Sequence, residues 1–297
     1  MVFKFHNNRY DTFGRYYEIV REAMVQLGHS EVIEDSEADI HFYNHISIWP
    51  RVKNSMIIKP TAPTSRHFAI DQWGYANDSK MAYIEPDWMN PFDYSINLQA
   101  DREHVQHLIK QKSNKWDDSI LLKWRKSKIK IPEDHILVIG QMPDDETVHG
   151  FGFGDHIVKL KNIVDKLHGE NVVIKIHPRY KNPVLVKKWQ DAGHTVIDGY
   201  VSIHDVLPRT RVAILENSTA GIECMMHKVP IISYGWPEYH WITEKIQTLP
   251  HLKSAVRDIS WYSEKENEMF LHWYINRYLC KDVESTKQRI QDILWNM

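Results

Sequence analysis

VAILENSTAGIECMMHKVPIISYGWPEY, residues 212–239, decides the fold. Residues 212–215 are apolar and of strand type. Glu216-Asn217-Ser218-Thr219 is polar and rich in helix-capping types, residues 220–227 read as a helix, and residues 229–233 as a second buried strand. Strand, crossover helix and strand make the βαβ unit of a parallel sheet. Ligands of such sheets gather beyond the carboxyl ends of the strands, where helix starts offer free N–H groups and partial positive charge. Asn217, Ser218 and Thr219 are therefore expected to meet a phosphorylated ligand. Glu223, one turn past Thr219, faces the same way and suits ribose hydroxyls. An ordinary capped helix with a solvated glutamate is the alternative reading of these residues.

Outward from this unit the pattern stays regular. Strands are expected over 136–139, 172–176 and 195–197, helices over 155–167 and 183–192, and a short helix over 203–207 capped by Ser202. Such alternation predicts a Rossmann-like domain over 131–260. Residues 1–130 are less regular and predict a reduced Rossmann-like domain. It has a strand at 2–5, then a helix at 15–27 with Tyr16, Ile19, Val20, Ala23, Met24 and Leu27 on one face. Short strands follow at 40–43 and 56–58. Residues 66–75, aromatic and polar, read as a surface hairpin or an acceptor-facing loop. Helices are expected over 101–112 and 119–126. The lysines around Trp116 and Trp124 read as a solvated helix face, with an anionic glycan or lipid headgroup as the alternative. Pro132 marks the linker. Residues 261–297 predict two helices, 264–279 and 283–294, packing back toward the first domain.

A chain of 297 residues, 42% hydrophobic and 26% charged, builds one large or two medium domains. A formal net charge of −2 gives no global argument for nucleic acid or an anionic membrane. Eleven Trp and fourteen Tyr suit sugar faces as well as cores. Cys224 and Cys280 form no C-x-x-C pair, so neither a zinc ribbon nor a disulfide scaffold is expected. With no secretory h-region and no long apolar run, a cytoplasmic protein with at most peripheral membrane contact is expected. A P-loop, a G-x-G-x-x-G fingerprint and a G-x-S-x-G elbow are missing. No metal site and no cofactor are expected.

Three polar loops leave strand ends of the second domain and open on one sheet edge. They hold Gln141-Met142-Pro143-Asp144-Asp145, then His177-Pro178, then Asn217-Ser218-Thr219. Lys175 and His177 share one face of an extended strand and suit a phosphate. Pro178 sets the chain direction after them. A strand end with a satisfied histidine and a surface lysine is the plain alternative. Asp144 or Asp145 beside an anomeric carbon can act as nucleophile, base or stabiliser of an oxocarbenium-like centre. A Pro-Asp-Asp turn is the plain alternative.

Gly140-Gln141-x-x-Asp144-Asp145, Lys175-x-His177-Pro178, Ser202-Ile203, Asn217-Ser218-x-x-Gly221-x-Glu223 and Tyr234-Gly235-x-Pro237-x-Tyr239 occur in that order. This set resembles the capsule polysaccharide synthesis family, which includes bacterial retaining β-Kdo glycosyltransferases. The resemblance runs from about Ile136 to His240. In the first domain only Asp71-x-x-Gly74-Tyr75 is similar. The resemblance implies a GT-B-like α/β fold, two Rossmann-like domains with parallel sheets facing a cleft. It implies a glycosyltransferase working without metal on a CMP-activated sugar, Kdo or a related ulosonate, with retention. A glycan or glycolipid is the implied acceptor. Asp144 or Asp145 matches the catalytic acidic loop. His177 and Pro178 match the phosphate contact. Ser218 and Glu223 match donor positions, and Gln141, Lys175, Asn217, Thr219 and Tyr239 complete the donor side. Asp71 and Tyr75 fall on the acceptor side. The segment after Tyr239, His240-Trp241-Ile242, departs from the aromatic, glycine-rich pattern frequent in the family. A UDP- or GDP-sugar donor, or an inactive glycan-binding protein of the same fold, are the competing expectations.

Overall fold

The structure is a computed structural model that describes residues 1–6, 14–33, 38–44, 54–89, 98–115, 127, 129–145, 147–148, 154–180 and 182–295. The helix expected over 119–126, with Trp116 and Trp124, lies outside them. The first part of the chain holds β1 (Val2–Phe5), α1 (Gly14–Gln26), β2 (Ser30–Glu31), β3 (Ile40–Asn44), β4 (Ser55–Pro60), β5 (Phe68–Asp71), α2 (Lys80–Tyr83) and α3 (Leu98–Gln111). The second holds β6 (His135–Ile139), α4 (His156–Lys166), β7 (Val172–Lys175), α5 (Pro183–Asp191), β8 (Thr195–Ile197), β9 (Thr210–Leu215), α6 (Ala220–Met226), β10 (Ile231–Ser233), β11 (Glu244–Lys245) and α7 (Leu249–Arg257). The chain closes with α8 (Glu264–Trp273), β12 (Leu279–Cys280) and α9 (Val283–Trp295).

The second sheet runs β11-β10-β9-β6-β7-β8 with every pair parallel. The chain starts at the centre, steps outward through β7 and β8, then returns to the other side of β6 as β9. That reversal opens a crevice beyond the ends of β6 and β9. Alternation along β6 serves two cores. Ile136 and Val138 pack with Leu160, Val164, Trp189 and Leu252, whereas Leu137 and Ile139 join Ile222, Met225 and Phe270 on the opposite face.

The first sheet runs β12-β5-β4-β3-β1-β2. β2, β1, β3 and β4 are parallel, and β5 and β12 add antiparallel strands at the edge. α1 and α9 cover one face, where Phe3, Phe42, Met56, Ile58, Ile70 and Cys280 form a core with Val20, Met24 and Ile290. The fold is thus the expected one, two Rossmann-like domains with parallel-dominated sheets.

Several local readings change. Residues 68–71 are not on the surface: β5 lies between β4 and β12, and all four of its residues are buried. The helix expected over 264–279 ends at Trp273, continues as a π turn over Tyr274–Tyr278, and gives way to β12. Residues 203–209 form two 3-10 turns, and Ser202 makes no capping bond. α3 packs against the second domain: Leu108 joins Met225 and Leu271, Arg102 pairs with Glu268 at 2.6 Å, and Lys112 pairs with Asp205 at 2.6 Å. No helix among the described residues is long and apolar enough to cross a membrane.

The domains meet through α2 and the segment after β10. Ala82 O accepts from His240 Nε2 at 2.9 Å and Trp236 Nε1 at 3.3 Å, and Met81 O accepts from Trp241 Nε1 at 2.8 Å. The residues that depart from the family pattern therefore hold the two halves together. Thr61 and Tyr274 continue the contact: the tyrosine hydroxyl lies 3.1 Å from Thr61 Oγ1 and donates to Glu238 at 2.8 Å.

Candidate active site

The crevice at the switch point is bridged by side chains. Gln141, just past β6, accepts the Asn217 N–H on its Oε1 at 2.6 Å. Asn217 donates from Nδ2 to Thr147 O at 2.9 Å and accepts the Trp236 N–H on Oδ1 at 2.7 Å. Loops after β6, β9 and β10 are joined at this one residue. Gly235 makes room for it, since a Cβ there would sit 2.3 Å from Asn217 Oδ1.

A fully buried carboxylate lies behind the neck. Glu216 accepts from His156 Nδ1 and from Lys159 Nζ, and its side chain has no exposure. His156 Nε2 accepts the Gln141 N–H at 3.2 Å, so the ring proton is assigned to Nδ1. Burial, then the charge of Lys159, push His156 down to about 4. The ring is neutral at physiological pH.

Charged groups in front of the neck act on one another from several elements. Asp145 Oδ1 accepts from Thr147 N at 2.9 Å and Thr147 Oγ1 at 2.5 Å. Burial works against its ionisation, but these bonds and the charges of Lys115 and Lys59 outweigh it and hold the carboxyl below its ordinary range. His177 follows β7. Its Nδ1 accepts the Arg179 N–H at 3.2 Å, which leaves Nε2 as the donor. Burial, then Lys115, Arg179 and Lys175, push it down to about 4 against the pull of Asp145. Lys115 lies past the end of α3 and is pushed down to about 8 by burial and by Lys59, while Glu223, Asp145 and Glu238 oppose the shift. Asp145 and Glu223 thus both act on the charge of Lys115, and Asp145 on His177, while Lys59 of β4 acts on Asp145 and Lys115 from the first domain.

Other residues of the expected site have structural engagements. Lys175 is buried, donates to Gly199 O at 2.8 Å, and is pushed down to about 8 by burial, against Asp198 and Glu223. Gly199 lies so near Pro178 that a Cβ would stand 2.5 Å from its nitrogen. Ser218 Oγ accepts the Ala220 N–H at 3.2 Å, and Ser218 O accepts from the Tyr239 hydroxyl. Thr219 precedes the seven-residue α6 without a side-chain capping bond. Tyr239 is buried against Gly221, where a Cβ would meet its hydroxyl at 2.1 Å. Asp144 is exposed.

Asp71, the last residue of β5, is buried. Its Oδ1 accepts N–H groups of Trp73, Gly74 and Lys80 at 2.8, 3.3 and 2.9 Å, so it shapes the 71–80 turn. Burial pushes its carboxyl up despite Arg289. Tyr75 is buried, with the Lys59 ammonium 5.2 Å from its ring centre. Among the described residues no group of three His, Cys, Asp or Glu is arranged to hold a metal. A separate cavity of about 580 Å³ lies between α3, the end of α6 and α8, lined in part by His104, His107, Met225 and His272. None of the loop residues above borders it.

Sequence reasoning missed His156, Glu216 as its partner, Lys115, Lys59 and Glu238. Glu216 carried a signal, a carboxylate directly after an apolar strand. The others carried none, because their partners lie far away in the chain.

Two Rossmann-like domains facing a cleft, with polar loops at the strand ends of the second, define a GT-B-like fold. Solved structures agree. The β-Kdo 2,4-transferase of Thermosulfurimonas dismutans KpsC matches with a TM-score of 0.61 and 15% identity, over 99% of this chain and 97% of that one. The β-Kdo 2,7-transferase of the same KpsC matches with a TM-score of 0.55 and 12% identity, over 99% of both chains. At these identities the likeness is one of fold. No protein-family model matches the sequence, and no curated protein matches it.

Proposed function

We propose that the chain is a metal-independent glycosyltransferase that moves Kdo or a related ulosonate from a CMP-activated donor to a glycan or glycolipid, with retention. The observation that carries this reading is the joining of the loops after β6, β9 and β10 at Asn217, beyond the switch point of a doubly wound sheet, with the polar residues of those loops close by in the chain. His177 is neutral with its donor on Nε2, and hydrogen-bonds a phosphate oxygen as the glycosyl–phosphate bond breaks. Asp145 is ionised, which suits attack on the anomeric carbon or stabilisation of an oxocarbenium-like centre, and unsuits proton donation. Glu223 takes ribose hydroxyls. Ser218 and Thr219 line the phosphate side, and Gln141 and Asn217 shape the neck beneath it. Lys59 and Tyr75 contribute the first-domain wall, where the acceptor enters. Contact with the membrane, where a glycolipid acceptor resides, is peripheral.

Calorimetric titration with CMP, UDP and GDP tests the reading. Wild type binds CMP in preference to the other two, and His177→Ala weakens CMP binding by about tenfold, the loss of one charge-assisted hydrogen bond. Preference for UDP or GDP would move the donor class. Binding of none of the three would overturn the reading.

A further inference from the structure

The buried pair behind the neck goes unused in the transfer just described. Glu216 and His156 have 0% and 1% of their side chains exposed. Burying a carboxylate with two polar partners costs several kcal/mol in desolvation, so apolar side chains of similar size would fill the space at lower cost. The hydrogen bonds lead outward to a single point. Glu216 orients His156 through Nδ1–H, and His156 Nε2 takes the Gln141 N–H at 3.2 Å. Gln141 is the first residue of the loop that carries Asp145, and its side chain is fixed separately by Asn217 at 2.6 Å. At the other end of the loop, Thr147 holds Asp145 by two bonds while its carbonyl is held by Asn217.

We propose that Glu216 and His156 are positioning residues for the transfer reaction: they hold the Gln141 backbone, and through it keep the Asp145 carboxylate in register with His177. The inference rests on the glycosyltransferase reading. Neither residue touches the substrate. A carboxylate displaced by about 1 Å from its line of attack loses on the order of 100-fold in rate while substrate affinity is kept. The relay therefore acts on kcat and leaves nucleotide binding alone.

His156→Phe fills the ring's space without an acceptor or a donor, and His156→Gln retains both. In His156→Phe, kcat falls by about 100-fold while the CMP dissociation constant stays within about threefold of wild type. His156→Gln regains at least about tenfold of that loss. Amide hydrogen exchange read by mass spectrometry shows faster exchange at residues 140–148 in His156→Phe, with other segments unchanged. Wild-type kcat in His156→Phe, unchanged exchange at 140–148, or a loss of CMP affinity in step with kcat would each overturn the proposal. If His156→Phe does not fold, His156→Leu, a smaller apolar side chain, likewise leaves the Gln141 N–H without its acceptor, and the same split and the same contrary results apply. If wild type transfers no sugar from any nucleotide donor, the functional reading fails, and the exchange measurement alone still decides whether the relay holds the loop.

Discussion

The two sheets face one cleft but are built differently. The second is assembled from consecutive chain, all parallel, with its strands entering the site in order. The first takes β1 to β5 from the start of the chain and β12 from its end, so its edge is antiparallel and closed by a segment more than 200 residues away. Polar groups follow the same division. In the second domain, carboxylates and imidazoles stand on loops beyond the strands and feel one another's charge. In the first, Asp71 is spent on three backbone N–H groups and on shaping a turn. On the proposed function, one wall carries the chemistry, and the other carries the architecture that keeps it opposite.

Parallel substitutions on the two walls give the largest effect. Asp145→Asn lowers sugar transfer by about a thousandfold with CMP binding kept, because it removes the negative charge next to the anomeric centre. Asp144→Asn, on the neighbouring residue that Thr147 does not hold, changes transfer by less than about tenfold. Asp71→Ala instead leaves three N–H groups without their acceptor and costs about 2–4 kcal/mol of stability, with kcat of the folded protein near wild type. Chemical denaturation and initial-rate assays on the three variants check this. A large loss of kcat in folded Asp71→Ala would break the division.

Acid sharpens the contrast with a smaller effect. Burial pushes His67 in the first part of the chain, and His156, His177, His227 and His240 in the second, down to about 4. The unfolded chain protonates these rings near their ordinary value of about 6.5, so between about 6.5 and 4 it binds more protons than the folded one. Stability is therefore full above 6.5 and falls as pH drops toward 4. Urea midpoints at pH 7.5 and 5 measure the fall, and hydrogen exchange at pH 5 shows the second domain loosening first.

The same division explains what the sequence made legible. β6, β7 and β9 announce themselves as short apolar runs, each followed at once by a polar loop, and the candidate loops are read from that pattern. β5 was hidden because its companions Arg66, Trp73 and Tyr75 look like surface chemistry, and because one of its neighbours, β12, is supplied by distant chain. β12 has two residues and no local signal at all. α7, with Pro250 in its first turn, also passed unnoticed. The roles of Gln141 and Asn217 were legible only as polar residues in the right place. That they bind each other, and that His156 and Glu216 stand behind them, depends on tertiary contacts 15 to 76 residues apart.

A structure determined with CMP bound tests the central claim most directly. The expected result has the phosphate within hydrogen-bond distance of His177 Nε2, the ribose beside Glu223, and the Asp145 carboxylate facing the position the sugar would take. CMP seated instead in the cavity between α3 and α8, with the three loops untouched, would contradict it.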